Sequence, residues 1–240
     1  MVSVVAISER VGPKVGGILA GIPTTTLVAT AFITWTEGAQ VARTSLILIP
    51  TIVVISQIFV LIFLFFPRDN LLVRIVAAGL AWLAIAWLVR YTLSGMNFWT
   101  SFAISLVGCL SFGYYFHRRF KDGHKAVVPI GGRMHVIRFI TAGTVVALAV
   151  LFARILDPFW GGIMSAFPAL FAVSLYFLAR SHGVEFAKAF SKQLPISILG
   201  TVFYTVSLYL LLTKIPAALA ILVSVVVSVI YAAGLLAVKE

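Results

Sequence analysis

Gly12-Pro13-Lys14-Val15-Gly16-Gly17-Ile18-Leu19-Ala20-Gly21-Ile22-Pro23-Thr24-Thr25-Thr26 packs two prolines and four glycines into what otherwise reads as a membrane-spanning helix. A proline inside a helix removes a backbone donor, and its ring clashes with the carbonyl four residues back. The stretch therefore predicts a helix that breaks at Pro23 and frees a carbonyl about one turn earlier, near Leu19. A second version follows as Asp157-Pro158-Phe159-Trp160-Gly161-Gly162-Ile163-Met164-Ser165-Ala166-Phe167-Pro168, with the freed carbonyl expected near Met164.

The two versions belong to one internal repeat. Sliding the sequence by 145 positions aligns Pro13, Gly16, Gly17, Ile18, Pro23, Val28, Phe32, Gly38, Ala42 and Pro50 with identical residues, from Pro158 to Pro195, without a gap. Hydrophobic composition alone does not align the three prolines and three glycines among them.

Composition says what kind of helices these are. The 240 residues are 62% hydrophobic and 10% charged, and the mean hydropathy is +1.12. A soluble domain cannot cover its surface with so few polar groups, so the chain reads as an all-α, polytopic membrane protein. Apolar runs of the roughly 20 residues needed to cross a bilayer predict about eight spans, at 12–35, 44–66, 71–92, 96–116, 136–156, 158–180, 192–213 and 215–237. The expected organisation is a first repeat region over 1–116, a basic loop over 117–135 and a second repeat region over 136–240. No basic segment precedes an apolar stretch at residues 1–10, so no signal peptide is read there.

Lys and Arg accumulate on the cytoplasmic side of a membrane, and they orient these spans. With the 117–135 loop and both termini cytoplasmic, only Arg43, Arg90, Arg154 and Lys214 of the 18 basic residues fall on the far side. Under this topology span 1 corresponds to span 6, five spans later, so the copies cross the membrane in opposite directions. Inverted repeats with glycine- and proline-interrupted helices in matching places point to a secondary transporter with its site at the repeat interface. Duplication also builds channels, scaffolds and enzyme subunits. The net charge of +11 is thus explained by membrane orientation, and nucleic acid is not expected as a partner.

Groups freed inside lipid must be satisfied by protein, water or ligand. Free carbonyls beside the hydroxyls of Thr24, Thr25, Thr26 and Ser165 predict a neutral, oxygen-rich lining for a small polar solute or a monovalent cation. The competing expectation is that the hydroxyls bond back to their own helices. The expected site comprises Lys14, Gly16, Gly17, Pro23, Thr24, Thr25, Gly161, Gly162, Ser165 and Pro168. The glycines have a second expected role, since small-xxx-small patterns let transmembrane helices approach closely, and spans 1 and 6 are expected to cross through them. Lys14 is read as either an anion ligand or a residue that snorkels to the interface. Asp157 is expected to cap the helix beginning at Pro158, with Arg154 as its partner. Trp82, Trp87 and Tyr91 are read as one face of span 3. Cys109 is the only cysteine, which excludes a disulfide within one chain. No zinc spacing, phosphate loop, serine elbow or carboxylate pair is present, so neither catalysis nor a cofactor is expected.

The segment Gly161-Gly162-Ile163-Met164-Ser165-Ala166-Phe167-Pro168-Ala169-Leu170-Phe171-Ala172 and its continuation to Leu212 resembles the GlpM-like family of small bacterial inner-membrane proteins. That resemblance covers spans 5 to 8 and, less clearly, spans 1 to 3, and it implies an envelope function linked to exopolysaccharide production. The overall design is also similar to that of the drug and metabolite transporter superfamily. No counterpart of span 5 precedes span 1 and span 4 has no mate, so a second copy of the chain is a possible partner. Two functions are expected in consequence: alternating-access transport of a small solute or ion around spans 1 and 6, or a non-transporting accessory role that binds a protein or lipid.

Overall fold

The computed structural model describes residues 12–93, 95–121 and 155–237, together with 140, 144, 147 and 151. Among the described residues all secondary structure is helical. The helices are α1 (Pro13–Leu19), α2 (Thr24–Glu37), α3 (Ala39–Ser45), α4 (Ile49–Phe65), α5 (Leu71–Thr92), α6 (Phe98–Arg119), α7 (Pro158–Ser165), α8 (Ala169–His182), α9 (Val184–Ser191), α10 (Leu194–Ser197), α11 (Leu199–Leu211) and α12 (Ala217–Ala237). By length and apolarity six helices or joined helix pairs are able to cross a membrane, and α3 with α4, bent by 43°, makes a seventh if taken as one span. Most of the expected span at 136–156 and most of the basic 117–135 loop lie outside the described residues, as does Arg154.

Local chemistry sets the helix ends. Asn70 Oδ1 accepts the Leu72 N–H at 2.9 Å and starts α5; Asn97 Oδ1 accepts the Thr100 N–H at 2.9 Å and starts α6. Such side-chain caps satisfy donors that a helix start leaves free. At the other end of α4, Arg74 donates to the carbonyls of Phe63 and Leu64 at 3.3 and 3.2 Å.

The 145-residue interval recurs in the backbone. Both ends of α2 match both ends of α8 at that spacing, and the breaks before them share one geometry. Pro23 has φ −76° and ψ 51°, and Pro168 has φ −76° and ψ 45°. Around these prolines Thr24 N–H donates to the Ile22 carbonyl at 2.8 Å and Ala169 N–H to the Phe167 carbonyl at 2.7 Å, an inverse γ-turn at each break. After each long half, Gly38 (φ 88°) and Gly183 (φ 84°) turn the chain sharply. Only glycine adopts this positive-φ, extended-ψ conformation readily.

The packing is reciprocal. A side chain on Gly17 would press on the Phe190 carbonyl oxygen, 2.5 Å from its Cβ, and one on Gly162 would collide with the Ser45 carbonyl. Gly17 and Gly162 are repeat mates, as are Ser45 and Phe190. Thus α1 packs on α9 and α7 packs on α3, each through a glycine against bare backbone. A side chain on Gly21 would likewise collide with the backbone of Ser197. The glycine faces therefore seat α1 and α7 on α3, α9 and α10, rather than on one another as the sequence had led us to expect. Trp82, in α5, is buried, while Trp87 and Tyr91 are more than half exposed, so the three do not form one face. Trp87 is five residues from Trp82, which on a helix of 3.6 residues per turn places it on another side.

Candidate solute site between the two helix breaks

The breaks at Ala20–Pro23 and Ser165–Pro168 face one another across a cavity with about 50 Å³ of room for the centres of water-sized spheres. That exceeds the volume needed to hold a single water several-fold. The lining shows how the repeat builds it. Ala20 and Ser165, Ile22 and Phe167, Pro23 and Pro168, Thr25 and Leu170, Thr26 and Phe171, Val53 and Ile198, and Ser56 and Thr201 are seven pairs of repeat mates. Thr24 and Ala166 alone lack a mate in the lining.

Of the ten residues expected at the site, Pro23, Thr24, Thr25, Ser165 and Pro168 line this cavity. Gly16, Gly17, Gly161 and Gly162 are buried but are not part of the lining, and Lys14 is exposed. Sequence reasoning missed Ser56 and Thr201, whose signal was an extension of the repeat beyond Pro50: both are hydroxyl residues 145 apart.

Ser56 and Thr201 satisfy the broken backbone. Thr201 Oγ1 donates to the Gly21 carbonyl at 3.0 Å; Ser56 Oγ, which also donates back to the Ile52 carbonyl at 3.1 Å, reaches the Ala166 carbonyl at 3.5 Å. Each donor comes from the opposite repeat, so the two breaks are cross-braced. Ser56 in turn accepts from Trp82 Nε1 at 3.3 Å, and the Trp82 ring meets Phe167 edge-on with centroids 5.0 Å apart. The breaks also touch directly, where Thr26 Oγ1 donates to the Ser165 carbonyl at 3.2 Å.

The carbonyls expected to be free are not the ones that side chains reach. Leu19 O accepts the Ile22 N–H at 3.2 Å, and Met164 O accepts the Phe167 N–H at 3.1 Å. The last turn of each short half-helix tightens to three-residue spacing and uses up those acceptors. The groups left over two residues later, at Gly21 and Ala166, are the ones that side chains reach. Ser165 Oγ bonds back to the Gly162 carbonyl at 2.7 Å, so its hydroxyl follows the bland expectation. Thr25 and Thr24 do not. Thr25 is 8% exposed and its hydroxyl has no hydrogen-bond partner among the described residues; Thr24 Oγ1 is buried and equally without one. Among the described residues the lining contains no Asp, Glu, Lys, Arg or His.

Asp157 caps α7 as its position predicts, accepting from Phe159 N–H at 2.8 Å and Trp160 N–H at 3.3 Å. Arg90, at the end of α5, forms an ion pair with it at 3.0 Å; Arg154, the partner expected from the sequence, lies outside the described residues. The Arg90 guanidinium also lies 4.7 Å above the Phe159 ring. This cluster fixes where the short half-helix enters and is separate from the cavity. Among the described residues no group of three or more His, Cys, Asp and Glu is placed to hold a metal. Compared with known protein families, with curated proteins and with solved structures, the chain matches none.

Proposed function

We propose that the chain is an eight-span transporter of the bacterial inner membrane, with both termini cytoplasmic and an inverted repeat, that moves a small solute or ion through alternating access around the two interrupted helices. The observation that carries this reading is the cavity at the meeting of the breaks. A site for a small solute needs a concave space with a few placed polar groups; this one has a buried, unpartnered hydroxyl on Thr24, a second hydroxyl on the buried Thr25, and walls drawn in repeat pairs. Reciprocal contacts support a two-fold relation between the repeats: Gly17 to Phe190 with Gly162 to Ser45, and Gly21 to Thr201 with Ala166 to Ser56. Residue i meets j while the mate of j meets the mate of i, which is the signature of two-fold packing. With the copies offset by five spans, an odd number, that axis lies in the membrane plane, the arrangement in which rocking one repeat on the other exposes a shared site to each side.

The accessory reading calls for small-residue faces open to a partner or lipid. The glycines of both breaks are instead engaged inside the chain, against Phe190, Ser197 and Ser45, which favours transport. The envelope role implied by the GlpM-like resemblance is compatible with export or uptake of a small solute.

The test is accessibility of the cavity from both faces. A Thr25→Cys variant in a Cys109→Ala background is treated with a membrane-impermeant thiol reagent in right-side-out and inverted vesicles. Alternating access predicts modification from either side. Labelling from neither side, with the protein folded, would mark the cavity as a sealed packing defect.

A further inference from the structure

Resting on the transport reading, we infer that the solute held between the breaks is a small monovalent anion. The long half-helices α2 and α8, each of 14 residues, both begin at the cavity, and neither has a side-chain cap. Helix geometry leaves the first-turn N–H groups without intrahelical acceptors, and here these belong to Thr25, Thr26, Leu170 and Phe171. Each helix start also carries the positive end of its dipole, about half an elementary charge. Two such ends at one space favour negative charge, the arrangement by which interrupted transporter helices hold anionic groups.

The side chains point the same way by an independent route. Thr25, more than nine-tenths buried in the cavity wall, has an unpartnered hydroxyl, and so does the adjacent Thr24. Most of the acceptors nearby are engaged. Gly21 and Ser165 carbonyls receive Thr201 and Thr26 hydroxyls, Ile22 and Phe167 carbonyls receive the γ-turn N–H groups, and Ser56 Oγ stands 3.5 Å from the Ala166 carbonyl; among the described lining residues of the two breaks the Ala20 carbonyl receives no donor. Four first-turn N–H groups and two hydroxyls thus outnumber the one unengaged break carbonyl, a balance that favours an anion over the monovalent cation that the sequence, alongside a small polar solute, had allowed. The absence of a cationic side chain from the lining among the described residues limits the charge to one, because a second negative charge would be buried without a counter-ion. The two walls differ: three threonines on the first repeat stand opposite Ala169, Leu170 and Phe171 at their mate positions. A short carboxylate, headgroup on the threonine side and tail on the apolar side, suits that contrast; an inorganic anion such as nitrate has the same head chemistry.

The purified full-length protein is titrated calorimetrically with sodium propionate, choline propionate, sodium nitrate, sodium sulfate and propionamide, and the same solutes are offered to proteoliposomes. Saturable binding of propionate or nitrate, indifferent to the cation and absent for sulfate and propionamide, is the expected result. The stronger of the two anions then identifies the source. Thr25→Val removes one hydrogen bond to a charged group and weakens binding roughly 10- to 100-fold. Binding that follows sodium instead, propionamide binding as tightly as propionate, or no anion binding overturns the inference, and the unmodified chain decides this even if Thr25→Val does not fold. Anion binding without flux overturns transport and leaves the anion site standing. Flux of a neutral solute or a cation does the reverse.

Discussion

Replacing Gly162 by alanine tests the packing that brings the two breaks together. The added Cβ would overlap the Ser45 carbonyl oxygen and lie 2.8 Å from its carbon and 3.3 Å from the Ser45 Cα. All three are backbone atoms, so no side chain can swing aside. Since carbon atoms prefer about 3.5–4 Å, α7 must retreat from α3 by roughly 1 Å. Overpacking of this kind costs about 1–3 kcal/mol, and the better helix propensity of alanine returns up to about 1 kcal/mol. A net loss of about 1–2 kcal/mol is expected. The retreat also pulls Ser165 from Thr26, whose bond across the cavity is 3.2 Å long, so solute binding weakens with stability. Gly79 is the control, because a Cβ there meets nothing within 4 Å; Gly79→Ala in the middle of α5 gains about 0.5–1 kcal/mol. Equilibrium unfolding in mixed micelles compares both with wild type. If Gly162→Ala is as stable as wild type while Gly79→Ala behaves as described, the close approach of α7 to Ser45 is refuted.

Two further substitutions address the braces and the core. Thr201→Val keeps the shape of the side chain but leaves the Gly21 carbonyl unpaired in an apolar setting; interhelical bonds in membranes average about 0.6 and reach about 1.7 kcal/mol, so unfolding in the same micelles should show a loss of about 0.6–1.7 kcal/mol. An unchanged midpoint would mean the brace carries nothing. Gln57 is fully buried in α4 with neither amide atom bonded among the described residues, and its repeat mate is the buried Val202. Gln57→Leu should therefore raise stability by about 1–3 kcal/mol, and a drop on the same assay would reveal a polar partner for the amide.

Much of this arrangement was legible in the chain because its causes are local or repeated. Pro23 and Pro168 announce the breaks through covalent geometry, and the match from Pro13 to Pro50 foretold that both breaks would share one conformation. Thr24, Thr25, Ser165 and Pro168 were placed at the cavity for that reason. What escaped depends on tertiary contact. A serine or threonine within an apolar run bonds to its own helix, as Ser165 does, or across to another, as Thr201 does, and nothing in its neighbours along the chain says which. The charge we infer for the solute escaped too, since that inference rests on which backbone groups the two breaks leave unpaired. Asp157 was identifiable as a cap from its place before Pro158, whereas its partner Arg90 comes from a helix that the chain reaches 67 residues earlier. Lys14 lies between Pro13 and Gly16 in sequence, yet the half-helix turns it outward, away from the break.

The central claim, that a solute crosses the membrane through the cavity between the breaks, is tested most directly by uptake into proteoliposomes containing the purified chain. A panel of radiolabelled monocarboxylates, inorganic anions, sugars and alkali cations is offered to wild type and to Thr25→Val, with reconstitution checked for equal folded protein. The account predicts saturable uptake of at least one small anion by wild type and a rate reduced at least tenfold, at low solute concentration, by the loss of that single hydroxyl. Uptake that is undiminished in Thr25→Val, or that is absent across the whole panel, would contradict it.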